Sequence, residues 1–207
     1  MASPDIVGIL LAAGNSSRFG SDKLLHRLAD GTPMAIAAAR TLHKVCVRCV
    51  AVLRPEQRQL GELLEAEGYI VHYSAKVQQG MGHSLATAVQ AEPEAAGWLV
   101  ALADMPFVDP VTASLVIYAL RGGASLAAPF FEGRRGHPVG FSNAWFSQLA
   151  SLQGDQGARS LLAENREAIS QVPCDDRGIL TDIDTPAALT WHPGHKTALG
   201  CQTSWGG

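Results

Sequence analysis

The chain has 207 residues, a formal net charge of −3, and 17% charged against 47% hydrophobic residues. That length accommodates one domain with a real core, and so much apolar content with so little charge excludes a disordered chain. A mildly acidic chain also lacks the broad basic face that a nucleic-acid backbone demands. Any phosphate ligand has to be held locally, by a few placed cations and backbone amides.

No apolar run reaches the roughly 18 residues of a membrane span, and the stretch Trp98–Val108 is broken by Asp104. Ile6–Ala13 is short and follows Asp5 with no Lys or Arg, so it reads as a buried strand rather than a secretory leader. Four cysteines in a chain of this size make no disulfide framework, which points to a reducing cytoplasm.

In chain order, the apolar and periodic patterns predict a strand at Ile6–Ala12, a helix at Pro33–Lys44, a strand at Val45–Leu53 and a helix at Pro55–Glu67. A strand at Tyr69–Tyr73, a helix at Ser84–Glu92, a strand at Trp98–Leu102 and a helix at Pro110–Arg121 follow. The remainder reads as strands at Ser125–Ala128 and Pro138–Phe141, helices at Asn143–Leu152 and Ala158–Arg166, and a strand at Ser170–Pro173. Pro33, Pro55 and Pro110 sit where a first helical turn tolerates a missing N–H, and Asp109 is a ready N-cap. This alternation predicts a single three-layer α/β/α domain over residues 1–190 with a mostly parallel sheet, and a loosely attached tail over 191–207. Ligands of such sheets gather at the carboxyl ends of the strands.

The first of those ends carries LAAGNSSRFGSDK, Leu11–Lys23. Gly14, Gly20, Ser16 and Ser17 make a turn whose backbone N–H groups can face an anion, and Arg18 and Lys23 add fixed positive charge. Five residues separate the glycines and Ser21 follows the second, so this is neither a Walker A loop nor G-x-G-x-x-G. The plainer alternative is a Gly-rich turn with surface cations. Two cations within a Gly/Ser loop after a buried strand favour phosphate.

Here the segment resembles the L-A-A/G-G…S-x-R-x-G…K signature of nucleotidyltransferases that act on the molybdenum cofactor. The resemblance continues in order through LADMP (Leu102–Pro106), RGHPVGF (Arg135–Phe141), GDQGARSLL (Gly154–Leu162) and DIDTPAAL (Asp182–Leu189). Ala13 stands where the guanylyltransferase branch usually has a second glycine, so the chain is most similar to the cytidylyltransferase branch of this MobA-like family. The resemblance implies a Rossmann-like nucleotidyltransferase fold and Mg²⁺-dependent transfer from CTP to the molybdopterin form of the cofactor, with release of pyrophosphate. GTP or another acceptor is the nearby alternative. A non-catalytic carrier that hands the cofactor to a molybdenum hydroxylase apoenzyme is the alternative of a different class.

It also implies site residues. Leu11, Ala12, Ala13, Gly14, Ser16, Ser17, Arg18 and Lys23, with Gly80, Gly82 and Ser84 of QGMGHSL, are expected to bind the nucleotide. Arg18, Lys23 and Asp104 are the expected catalytic set. Asp104 ends an apolar run, where a carboxylate can hold a divalent cation against a triphosphate or simply cap a turn. Asp182 and Asp184 are the candidate second metal contacts; Asp184 also suits an N-cap, which favours Asp182. Arg135, His137, Asp155 and Arg159 are expected to face the acceptor, their plain reading being a solvated turn and a capped helix. Ser74-Ala75 and Arg54 depart from the family's usual Asn and Gly.

Three further patterns are set aside. Gly82-His83-Ser84-Leu85-Ala86 imitates a nucleophile elbow, but Ser74–Gly80 separate it from the preceding strand. Cys46-Val47-Arg48-Cys49 is formally C-x-x-C, and inside a β run its cysteines would be core residues on opposite faces. His192, His195 and Cys201 match no closed metal-site spacing.

Overall fold

The computed structural model describes residues 5–12, 23–155 and 157–183. Its strands are β1 (Ile6–Leu11), β2 (Cys49–Leu53), β3 (Ile70–Tyr73), β4 (Gly97–Leu102), β5 (Leu126–Phe131), β6 (Arg134–Arg135), β7 (Val139–Ser142) and β8 (Ile169–Pro173). Its α-helices are α1 (Met34–His43), α2 (Arg58–Ala66), α3 (Met81–Ala91), α4 (Pro110–Arg121), α5 (Phe146–Ala150) and α6 (Arg159–Glu164). The sheet runs β3-β2-β1-β4-β7-β5-β6, with β8 also paired to β5.

β1, β2, β3 and β4 are mutually parallel, and β5 pairs parallel with β8. β7 is inserted antiparallel between β4 and β5. The sheet is mostly parallel, as expected, and mixed at this end. Its continuous apolar sequence did not reveal the reversal, because a strand buried on both faces looks the same in either direction. β6 and β7 pair antiparallel with opposite ends of β5, at Phe130–Phe131 and at Leu126–Ala127. Between them Gly136–Pro138 leaves the ladder, with a cis His137–Pro138 peptide. Such interruptions re-aim side chains.

Alternation along the strands sorts two cores. Leu10, Ala51, Leu53, Leu99 and Ala127 pack with Leu42, Leu60, Leu64, Val116 and Leu120 of α1, α2 and α4. Ile9, Val50, Trp98, Val100, Val139 and Phe141 pack on the opposite face with Leu85, Val89, Leu149 and Leu162 of α3, α5 and α6. The expected three layers are present.

Several boundaries differ from the sequence reading. Residues 45–48 are turn, so Cys46 lies outside β2, although both Cys46 and Cys49 are buried core thiols. Pro33 is the N-cap residue of α1 and Pro55 lies in the turn before α2, which leaves only Pro110 at a first helical position. Asp109 caps α4 as expected, its carboxylate accepting from the Val111 N–H at 2.8 Å. α3 starts three residues earlier than predicted, at Met81.

Candidate active site

Strands β1 to β4 point the same way, so their carboxyl ends converge on one rim of the sheet. Local hydrogen bonds lock that rim. The Ala103 N–H donates to the Leu11 carbonyl at 3.0 Å, tying the end of β4 to the end of β1. Gln57, only 5% exposed, donates through Nε2 to the Ala12 carbonyl and accepts from the Arg54 N–H through Oε1. Sequence reasoning missed Gln57, because nothing in a polar helical turn announces that its amide will be buried.

Two expected catalytic residues meet on this rim. Lys23 sits in a short 3-10 turn, Lys23–Leu25, and its Nζ is 3.1 Å from Oδ2 of Asp104. The lysine side chain is 10% exposed and the aspartate 29%, so the pair is partly shielded from water without being sealed. The Ile183 N–H donates to the Asp104 carbonyl at 3.0 Å, which brings the Asp182 segment alongside. Leu11 and Ala12 end the first strand as expected. Ala13, Gly14, Ser16, Ser17, Arg18 and Asp184, with the tail, lie outside the described residues.

Beside the pair opens a cleft of about 630 Å³. Its walls are apolar, from Leu11, Leu85, Val100, Leu102, Val139, Phe141 and Leu162, and its polar groups include Arg135, His137, Asp155 and Arg159. All four residues expected on the acceptor side thus line one cavity, although they come from β6, the β6–β7 interruption, the loop before α6 and α6 itself. A cleft of this size with few convergent polar groups suits a small organic ligand.

Its electrostatics are unusual. His137 is held neutral: burial first, then the neighbouring Arg135 charge, push its pKa down to about 4, against the Val100 carbonyl and Asp104. Its Nδ1 is buried and has no hydrogen-bond partner among the described residues. Arg135 is pushed below its ordinary value by burial, then by the charges of Arg166 and Arg159. Arg166, absent from the expected set, therefore belongs to this basic group. It was not legible because it lies outside the GDQGARSLL motif, on a separate turn, Arg166–Ala168.

The glycines and serine of QGMGHSL are placed differently from one another. Gly80 has φ +121°, and a Cβ there would lie 2.3 Å from the Gly154 carbonyl carbon. A Cβ on Gly82 would lie 2.5 Å from the Gln153 carbonyl oxygen. Both glycines thus let the start of α3 press against the loop that carries Asp155. Ser84 is 1% exposed inside α3, which removes the elbow geometry altogether.

A parallel-centred α/β sheet with a cleft and a lysine–aspartate pair toward its carboxyl rim has its ligand site where open α/β sheets bind theirs. Comparison with known proteins narrows this. The chain belongs to the MobA-like NTP transferase domain family, whose model matches residues 8–169, and it is a nucleotidyltransferase. It is 32% identical over 198 residues to the purine catabolism protein PucB of Bacillus subtilis (strain 168), covering 90% of this chain and 95% of that protein. It is 29% identical over 191 residues to nicotine blue oxidoreductase of Paenarthrobacter nicotinovorans, covering 88% and 93%. Among solved structures, Rv0371c from Mycobacterium tuberculosis H37Rv superposes with a TM-score of 0.79 at 27% identity, over 91% of this chain and 96% of that one. A second Rv0371c structure, described as a complex with manganese, has a TM-score of 0.71 at 24% identity, over 84% and 89%.

Proposed function

We propose that the chain transfers a cytidylyl group from CTP to the phosphate of a molybdopterin-type acceptor, releasing pyrophosphate, in the cytoplasm. The observation that carries this reading is the 3.1 Å Lys23–Asp104 pair on the rim of the cleft lined by Arg135, His137, Asp155 and Arg159. An acceptor phosphate oxygen attacks the α-phosphorus, a new P–O–P bond forms, and the bond to pyrophosphate breaks. No proton has to move and no covalent enzyme intermediate is needed, so the protein contributes position and charge.

In this reading the amides of Gly14 to Gly20, with Ser16, Ser17 and Arg18, cradle the triphosphate, and Lys23 stabilises charge developing at the α-phosphate. Gly80 and Gly82 keep the nucleotide-side wall close, while Arg135 and Arg159 attract the acceptor's anion. The donor set suits Mg²⁺: a part-exposed Asp104 carboxylate next to the Asp182 segment offers hard oxygens and leaves positions for water and phosphate. Asp104 with Asp182 or Asp184 would hold that ion, which when bound neutralises charge on the triphosphate. The manganese complex of Rv0371c supports a divalent cation. The choice of CTP rests on Ala13 and the family resemblance, and a molybdenum hydroxylase apoenzyme is the implied recipient.

The test mixes the protein with Mg²⁺, each of the four NTPs and molybdenum-loaded cofactor, and measures pyrophosphate. Release with CTP alone is the expected result. Tight cofactor binding with no pyrophosphate from any NTP overturns the reading in favour of a carrier.

A further inference from the structure

His83 is neither an expected site residue nor a cleft-lining side chain, yet it joins the two walls of the cleft. It lies in the first turn of α3, and its Nδ1 accepts a hydrogen bond from the Gly154 N–H at 3.3 Å. One residue earlier, the Gly82 N–H donates to the Gly154 carbonyl at 2.8 Å. Both backbone polar groups of Gly154 are thereby held by α3, one by the chain itself and one by an imidazole. Gly80 and Gly82 make the approach possible, and a Cβ on Gly157 would touch the Met81 sulfur at 3.2 Å. On one side of this clasp Met81 and Leu85 line the cleft; on the other Asp155, Ala158 and Arg159 do.

We propose that His83 is a positioning residue: its Nδ1 fixes the Gln153–Asp155 loop against α3 and so sets the spacing between the α3 wall and the Asp155–Arg159 wall. The contact requires a neutral imidazole with its proton on Nε2, since a protonated ring has no lone pair to offer. The main-chain bond from Gly82 alone leaves the Gly154 N–H without a partner and the loop free to pivot about one contact. The activity consequence rests on the proposed transferase reading; the structural consequence does not.

The test uses the full chain with His83→Leu, His83→Asn and His83→Gln. An Asn side chain puts a carbonyl oxygen close to the Nδ1 position, whereas Gln carries its oxygen further out. Amide hydrogen exchange at Gly154 is read first. Exchange about fivefold faster in His83→Leu, with protection kept in His83→Asn, is expected for the loss of one hydrogen bond worth roughly 1 kcal/mol. If His83→Leu does not fold, His83→Gln supplies the unprotected comparison. The kinetic arm expects the KM for the molybdopterin acceptor to rise about fivefold in His83→Leu and to recover in His83→Asn. Unchanged Gly154 exchange in both His83→Leu and His83→Gln overturns the proposal, and so does equal loss in His83→Asn, which would assign the effect to ring packing. If the wild type releases no pyrophosphate, the transferase reading fails while the exchange result still decides the role of His83.

Discussion

Replacing Lys23 by Met separates positioning from chemistry, because it removes the ammonium and keeps most of the apolar stem. At 3.1 Å and an effective dielectric near 20, the gross attraction between Lys23 and Asp104 is about 5 kcal/mol. With Asp104 29% exposed, water and desolvation reduce the net contribution to roughly 1–2 kcal/mol. For a domain of this size that corresponds to a fall in Tm of roughly 2–8 °C, measurable by calorimetry. The catalytic effect should be larger. On the proposed reading, a cation aimed at charge that appears only in the transition state is worth on the order of 100-fold in kcat, whereas CTP binding, which that reading assigns mainly to Arg18 and the Gly14–Gly20 amides, should weaken only about fivefold. The assay is steady-state pyrophosphate release at saturating CTP, paired with calorimetric CTP binding. Turnover within threefold of wild type would refute the role of Lys23, and a loss confined to CTP affinity would make it a binding residue only.

The other expectations are independent of that result. Gly80→Ala and Gly82→Ala should each lose about 2–4 kcal/mol in urea denaturation, because the new methyl meets backbone at 2.3 Å and 2.5 Å rather than a side chain that can move; unaltered stability would mean the α3–loop contact is loose. Arg159→Gln should raise the acceptor KM roughly tenfold and leave the CTP KM alone, which initial-rate kinetics with each substrate varied will decide. His137 has its pKa pushed from the ordinary 6.5 to about 4. The unfolded chain therefore binds a proton that the folded one refuses, and stability should fall as pH drops from about 6.5 to about 4. Across that window His137→Gln should flatten the urea midpoint against pH; an unchanged slope would show that other groups govern it.

Much of the candidate site was written in short segments. Lys23, Asp104, Arg135, His137, Asp155 and Arg159 were each identifiable from a motif at a strand end or loop; four of the six line one cleft, and Lys23 pairs with Asp104. What escaped was of two kinds. Gln57 and His83 act through single hydrogen bonds to backbone far along the chain, at Ala12 and Gly154, and no local pattern encodes a partner 45 or 71 residues away. Arg166 joins the basic group only because its turn comes near Arg135. Ser84 shows a different limit: its motif does not reveal that its side chain is buried inside α3.

The sequence by itself determined the layers, since continuous apolar strands alternating with amphipathic helices can be buried only as a sheet between two helical faces. It also determined the chemistry on offer, because a few charged residues in an apolar chain stand out wherever they fall. Tertiary structure alone decided the direction of β7, the interruption that turns His137 into the cleft, and the clasp between α3 and the Gln153–Asp155 loop. Each depends on pairing between distant segments, where hydrogen-bond register and steric fit choose among arrangements that local propensity leaves equal.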